Sequence, residues 1–520
     1  MTTTPDDPAD GTAEIAPGAT RPGDGAIVLP DVAAAQAQVE RWTIDFPAFG
    51  GLLARHGHPV PALRQFGALG RRSGDFQQAA AAFMAALALA PREVWLWRDL
   101  AGVYQTSSRH DLAAACVRRA LALDATHAAT WLQYAVLAEQ LGDDAEAEHG
   151  FRRALALDPD LADAHFALGL LYMKALRFEE AVASLHQAVL RGDADAVVYL
   201  SLGHALYMAA KFSDSADAFA RAAGFAPLSG HSLQKYARAT TFAAMIAGDV
   251  GQALARYPAL AGDAREPLDD ITRDGFALFS AYGYREAAIA VGRLRLAQNP
   301  DDPIQRHLND AVAGKPLDGV PGAYTEAYFD AFAEGFEDKL VGRLDYRAPR
   351  DLAELVGRHG SSFSHMLDLG CGTGLAGNYL ARFGPELTGV DLSANMLRRA
   401  ARRPAYRTVV KSEANEFLAG RPASFDLVFA SDVLIYFGRL DGLMAAVAQA
   451  LVRGGIFAAS IELAKQGDFE ILPSGRFAHA KAYFASLAAP WFDILEQTEG
   501  ALRLEAGVPV RGGLFVVRRR

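Results

Sequence analysis

Only two cysteines occur in 520 residues, Cys116 and Cys371. Two such isolated thiols build neither a disulfide framework nor a zinc cluster. No apolar run reaches the roughly 18 residues that a membrane-spanning helix needs. Basic charge is in the minority, with 51 Lys and Arg against 61 Asp and Glu and a net charge of −10. That balance argues against a general nucleic-acid or anionic-membrane binder, while leaving room for a local basic patch. The opening residues Met1-Thr2-Thr3-Thr4-Pro5-Asp6-Asp7 lack the apolar stretch of a secretory signal. A cytoplasmic protein without a membrane or nucleic-acid partner is the expectation. Large apolar side chains are scarce over residues 1–30, where Thr, Pro, Asp, Gly and Ala predominate. Such a segment cannot bury enough surface to offset chain entropy, so a disordered tail is expected there.

What is present is the ordinary globular balance, 51% hydrophobic and 22% charged. Residues 31–300 are dominated by Ala and Leu in helical spacing, and they repeat. Trp131, Ala147, Phe151, Ala154 and Pro159 recur 34 residues later as His165, Ala181, Leu185, Ala188 and Asp193. A further shift gives Tyr199, Ser215, Phe219, Ala222 and Pro227. Shifts backward give Trp97, Ala113, Val117 and Ala120, then Leu63, Ala79, Phe83, Ala86 and Pro91. Five units therefore hold one register without insertion, and Leu168-Gly169 and Leu202-Gly203 fall at the same place in theirs. The pattern resembles the tetratricopeptide repeat, a pair of antiparallel helices. Small residues let the two helices approach, aromatics fill the gap between units, and proline stops the second helix. Cys116 falls on a second helix and reads as core. Residues 231–300 continue with poorer matches, as Gly283 to Pro300 does, and 301–322, rich in Pro and Gly, read as a linker.

Beyond the linker, short β-type runs alternate with helical stretches at 365–370, 387–392, 408–411, 425–430 and 455–461. That alternation predicts a doubly wound α/β domain over 323–520. Two later runs, 492–497 and 513–518, have no helix-length segment between them and predict an antiparallel hairpin at a sheet edge. The first strand leads into Asp368-Leu369-Gly370-Cys371-Gly372-Thr373-Gly374-Leu375-Ala376-Gly377, and the second ends at Asp391. Glycines bring bare backbone against a ligand, and an acid at the second strand tip can hold two ribose hydroxyls. Gly372-x-Gly374-x-x-Gly377 also matches the dinucleotide pattern. Asp368 would repel a pyrophosphate, however, and no Lys or Arg lies between Gly370 and Ala381 to offset it. The same carboxylate suits a ligand with an ammonium group and no phosphate, such as S-adenosylmethionine.

These residues resemble the class I S-adenosylmethionine-dependent methyltransferases, and with the repeats the bacterial group that joins both. The resemblance implies an all-α solenoid followed by a Rossmann-like domain with sheet order 3-2-1-4-5-7-6. It implies that Asp368, Gly370, Cys371, Gly372 and Gly374 surround the methionine part. Asp391 would bind the ribose, with Leu392 and Met396 near the adenine and Glu413-Ala414 facing its edge. Glu413 stands where the family more often has Asp. Cys371 reads as a small filler and Met396 equally as core.

Methyl transfer needs in-line positioning and a base only for a protonated acceptor, so no universal catalytic triad is expected. Candidates on the acceptor side lie at the carboxyl ends of the fourth and fifth strands: Asp432, Tyr436 and Glu462. His479 joins them from the irregular segment Gly475-Arg476-Phe477-Ala478-His479 before the last helix, which reads as a substrate loop. Each has a structural alternative: a helix cap for Asp432, packing for Tyr436, a solvated strand end for Glu462 and a satisfied ring for His479. The aromatic segment 324–336 suggests a helix closing over the cofactor with Tyr328, Phe329 or Phe332, or else one packing on the repeats. A solenoid's concave face suits a protein or peptide partner. The architecture thus suggests a methyltransferase whose repeats recruit a protein or carrier-bound acceptor. A small-molecule O-methyltransferase acting on a carboxylate or hydroxyl, with repeats for assembly, and a non-catalytic scaffold are the alternatives.

Overall fold

A computed structural model describes residues 27–315, 317–332, 346–505 and 508–520. The disordered-tail expectation for 1–30 therefore falls almost wholly outside the described residues, as do the side chain of Phe332 and residues 333–336. The chain divides at Tyr236–Ala237 into two compact units. Among the described residues no helix is long and apolar enough to cross a membrane.

The first unit is built from helix pairs. First helices begin at Val94, Ala128, Ala162 and Ala196, and second helices at His110, Asp144, Phe178 and Phe212. Each start follows the last by 34 residues, the sequence period. The turn inside each pair places one residue in the left-handed region: Gly74, Ser108, Gly142, Leu176 and Ala210, again 34 apart. Glycine is used where backbone and side chain meet closely. A Cβ on Gly169 would lie 2.6 Å from Leu185 Cγ, and one on Gly203 3.0 Å from the Phe219 ring. Cys116 is fully buried, and burial pushes its thiol up to about 12.

The second unit begins with further helices, including Leu268–Ala281 and Arg285–Gln298. The linker expected over 301–322 is instead partly helical. Asp302 caps Pro303–Val312 by accepting from Ile304 N and Gln305 N, with proline in the first turn, and Gln305, His307 and Asn309 are buried. Proline and glycine there punctuate a packed helix rather than a free connection. A second helix, Gly322–Phe332, follows.

Seven strands then form one sheet. They are β1 (Met366–Leu369), β2 (Leu387–Asp391), β3 (Thr408–Lys411), β4 (Phe425–Ala430), β5 (Leu451–Glu462), β8 (Phe492–Glu505) and β9 (Val508–Arg519), in the order β3-β2-β1-β4-β5-β9-β8. The first five run parallel, and β9 lies antiparallel between β5 and β8. This is the anticipated Rossmann-like order, with the last strand placed inside the one before it. Strand alternation sends Leu367, Leu369, Phe457 and Phe515 to one face and Met366, Phe429, Ile456 and Val516 to the other. Both faces are therefore covered, as a parallel sheet requires. A short hairpin, β6 (Phe469–Ile471) with β7 (Phe477–His479), replaces the irregular segment expected there.

Replacing Gly169 by Ala drives a methyl into Leu185, so unfolding free energy should fall by about 1–3 kcal/mol. Gly51→Ala, where a Cβ meets nothing within 4 Å, should be neutral or stabilising. Urea unfolding of the full chain followed by circular dichroism compares the two.

Candidate functional site

The carboxyl ends of the parallel strands converge on one cavity of about 460 Å³, where open α/β sheets place ligands. At one end lies the glycine loop. Gly370 is left-handed at φ +69°, and a Cβ there would lie 2.5 Å from Val433. Gly372, at φ +53°, faces open space, and its N–H donates to Asp391 Oδ2 at 2.9 Å. Asp391 Oδ1 accepts from Ser393 N at 2.8 Å. Each carboxylate oxygen keeps a lone pair for a ligand hydroxyl. Burial holds the Asp391 carboxyl above its usual range, against the pull of the backbone N–H groups of Ser393, Gly372 and Leu392.

One aromatic ring explains the other glycines. Cβ atoms on Gly374, Gly377 and Gly389 would lie 2.8, 2.6 and 2.9 Å from Tyr406 ring carbons. The Tyr406 hydroxyl donates to Asp368 Oδ2. Asp368 is 2% exposed, and burial pushes its carboxyl from 3.8 to about 7, with Asp391 adding repulsion and Tyr406 opposing the rise. Asp368 is thus partly protonated at neutral pH. The repulsion of a pyrophosphate inferred from the sequence is correspondingly less than that of a full charge. Burial likewise raises the Cys371 thiol well above its usual range.

Helix Gly322–Phe332 roofs the cavity with Tyr328 and Phe329. Asp330 Oδ1 accepts from Ser393 Oγ and from Asn395 N, and Asn395 Nδ2 donates to Asp330 O at 3.0 Å. Lys411 pairs with Glu326 at 2.7 Å. At the other end Val320 N donates to Tyr436 O at 2.9 Å. The segment is thereby tied down from the β4 turn across to β2 and β3.

Opposite the glycine loop, Asp432 follows β4 with φ +56°, unusual for a residue other than glycine. Its N–H donates to buried Ser460 Oγ at 2.7 Å. Arg503, with 5% of its side chain exposed, donates to Asp432 Oδ2 at 3.0 Å and to Glu462 Oε2 at 2.8 Å. Asp432 Oδ1 is buried and, among the described residues, without a hydrogen-bond partner. Tyr436 and Tyr346 complete this wall, both with hydroxyls held up chiefly by burial.

Of the residues singled out from sequence, Asp368, Gly370, Cys371, Gly372, Asp391, Leu392, Glu413, Ala414, Asp432 and Tyr436 line this one cavity. Gly374 lies behind it against Tyr406, and Met396 is fully buried in its helix. Glu413 also caps the helix Ala414–Ala419 by accepting from Glu416 N. Glu462 is no solvated strand end: it is 8% exposed and serves as Arg503's second partner behind the lining. His479 is removed from the cavity as well. Its Nε2 donates to Phe437 O and Gly438 O, its ring stacks on Tyr483, and burial lowers it to about 4. It ties β7 to the turn after β4.

Sequence reasoning missed Arg476, Arg503, Tyr346 and Thr373, which also line the cavity. Thr373 Oγ1 is buried and, among the described residues, lacks a partner. Its place inside the glycine loop was the available signal. Arg476 lies in the segment read as a substrate loop, and nothing local marks Arg503 or Tyr346.

Residues 367–459 match the family model described as a methyltransferase domain, and residues 139–175 match a TPR repeat. The trans-aconitate 2-methyltransferase of Pseudomonas paraeruginosa is 36% identical over 140 residues, 26% of this chain and 50% of that one. The dTDP-3-amino-3,6-dideoxy-alpha-D-glucopyranose N,N-dimethyltransferase of Streptomyces fradiae is 36% identical over 113 residues, 22% and 42% of the two chains. The chain thus spans half or less of these relatives. The N-methyltransferase NodS of Bradyrhizobium japonicum, solved with S-adenosyl-l-homocysteine, is 18% identical over 33% of this chain and 85% of its own, with a TM-score of 0.28.

The raised Asp368 carboxyl generates a pH dependence. Between pH 4 and 7 the native state keeps a proton that the unfolded chain has lost. Its contribution to stability is whole below about pH 4 and is lost as pH rises through 7. The wild type should therefore lose stability relative to Asp368→Asn between pH 5 and 8, by up to a few kcal/mol, in urea unfolding across that range.

Proposed function

We propose that this chain, which joins tetratricopeptide repeats to a class I methyltransferase domain, transfers methyl groups from S-adenosylmethionine to a small acceptor. The observation that carries this reading is the roofed cavity that holds the glycine loop and Asp391 at one end and Asp432 at the other. The residues present fit the cofactor. Gly372 leaves open space, Asp391 offers lone pairs to ribose hydroxyls, and the buried Thr373 hydroxyl, without a partner among the described residues, is open to a polar ligand atom. A cationic cofactor group beside Asp368 would draw that carboxyl into its charged form.

When bound, S-adenosylmethionine supplies the activated methyl. The chain's own work is positioning and exclusion of water. Gly370, Cys371 and Gly372 bring backbone to the methionine part, and Leu392, Glu413 and Ala414 border the adenine. Tyr328 and Phe329 close the roof. Asp432, fixed on one oxygen by Arg503, is the group placed to take a proton from a hydroxyl or amine acceptor. A carboxylate acceptor needs no such step.

The small-acceptor reading draws support from a cavity of about 460 Å³ and from relatives whose names specify small molecules. The repeats remain the surface we assign to a protein or peptide partner. Labelled-methyl uptake in lysate separates a small acceptor from a macromolecular one: small-molecule products support the present reading, and label only in macromolecules overturns it.

Calorimetric titration tests the cofactor site. S-adenosylmethionine should bind the full chain, and Asp391→Ala should weaken it about tenfold or more, the scale of lost hydrogen bonds to a charged group. NAD should give no heat. Binding of NAD in place of S-adenosylmethionine would overturn the assignment.

A further inference from the structure

Tyr406 stands behind the cavity lining, on the turn that leads into β3. Its N–H donates to Arg403 O at 3.3 Å, and the next residue, Arg407, donates from its N–H to Leu387 O at 2.9 Å. The turn is thereby fastened to the head of β2, and the ring packs with Cys371, Leu397 and Ala400. Phenylalanine would fill the same notch at Gly374, Gly377 and Gly389. What tyrosine adds is a proton. Burial raises its hydroxyl far above the usual phenol range, so the group stays a donor, and it donates to Asp368 Oδ2.

Asp368 lines the cavity beside Gly370 and Gly372. It is 2% exposed, and the Asp391 carboxylate repels its charge from the neighbouring strand. A carboxyl in such a place takes up a proton and loses its hold on a cation. A hydroxyl donating to one oxygen favours the charged form and fixes the plane of the group, leaving the other oxygen for a ligand. The balance at Asp368 has that direction, with Tyr406 opposing the rise that burial and Asp391 impose.

We propose that Tyr406 is a positioning residue for the amino-acid end of the cofactor, its hydroxyl holding Asp368 as an oriented carboxylate for the α-ammonium group. This rests on the reading of the cavity as a site for S-adenosylmethionine. The hydroxyl then sets affinity for ligands that carry the ammonium group. The adenosine part, assigned to Asp391, is indifferent to it.

The test is calorimetry on the full chain with S-adenosylhomocysteine and 5′-methylthioadenosine. The second keeps the adenosine and the thioether but lacks the ammonium and carboxylate groups, and its binding is read by competition with the first. The wild type should bind S-adenosylhomocysteine about tenfold more tightly or better. Tyr406→Phe should weaken S-adenosylhomocysteine about tenfold and leave 5′-methylthioadenosine within about twofold. Asp368→Asn should show the same selectivity. The double variant should bind no more weakly than Asp368→Asn, because the hydroxyl acts through that carboxyl.

Equal loss of both ligands in Tyr406→Phe would overturn the proposal, since the hydroxyl would then serve the loop as a whole. Unchanged S-adenosylhomocysteine binding in either single variant would overturn it, as would additive losses in the double variant. Equal wild-type affinity for the two ligands, or failure of 5′-methylthioadenosine to compete, would do so too. Binding of neither ligand to the wild type would instead overturn the cofactor reading itself.

Discussion

The Tyr406 ring is the constraint on which the glycine-loop end of this cavity depends. It fills the notch left by Gly374, Gly377 and Gly389 at approaches that no Cβ tolerates, and its hydroxyl meets the buried Asp368. The loop after β1 is thereby pressed against β2 and the segment leading to β3. Only with that loop in place does Gly372 donate to Asp391, and only then do the strand tips face a common space. A buried carboxyl that is neither fully charged nor left without a donor is the electrostatic consequence.

A literal glycine fingerprint thus divides into two jobs. Gly370 and Gly372 serve the cavity, while Gly374 and Gly377 serve a tyrosine some thirty residues away. The spacing alone invites a dinucleotide reading because packing and ligand approach both demand the same missing side chain. Which glycine does which is decided by the partner each one meets.

The Asp432 end of the cavity follows a different logic. Its charges come from β5, β8, the turn after β4 and the β6–β7 hairpin, and Arg503 is fixed by acids 71 and 41 residues distant. Glu462 belongs to the arrangement as the residue that balances Arg503 rather than as a wall. Burying one guanidinium between two carboxylates stabilises a geometry more than it stabilises a fold. The left-handed backbone at Asp432 is consistent with a residue held by such a network rather than by local preference.

Sequence by itself determined what short-range physics encodes. The 34-residue period fixed the helix pairs and their left-handed turns, because small and aromatic residues must recur wherever identical packing recurs. Runs of β-type residues fixed five parallel strands and the closing hairpin, and the glycine loop with Asp391 marked one end of the cavity. Tertiary structure alone decided the rest. It turned an expected linker into the helix that carries His307, removed His479 to a structural bond, and placed Met396 in the core. It also gathered Arg476, Arg503 and Tyr346 around Asp432. The physical reason is that period and propensity act between near neighbours, whereas a cavity at the ends of crossing strands is lined by residues whose only relation is where the sheet order brings them.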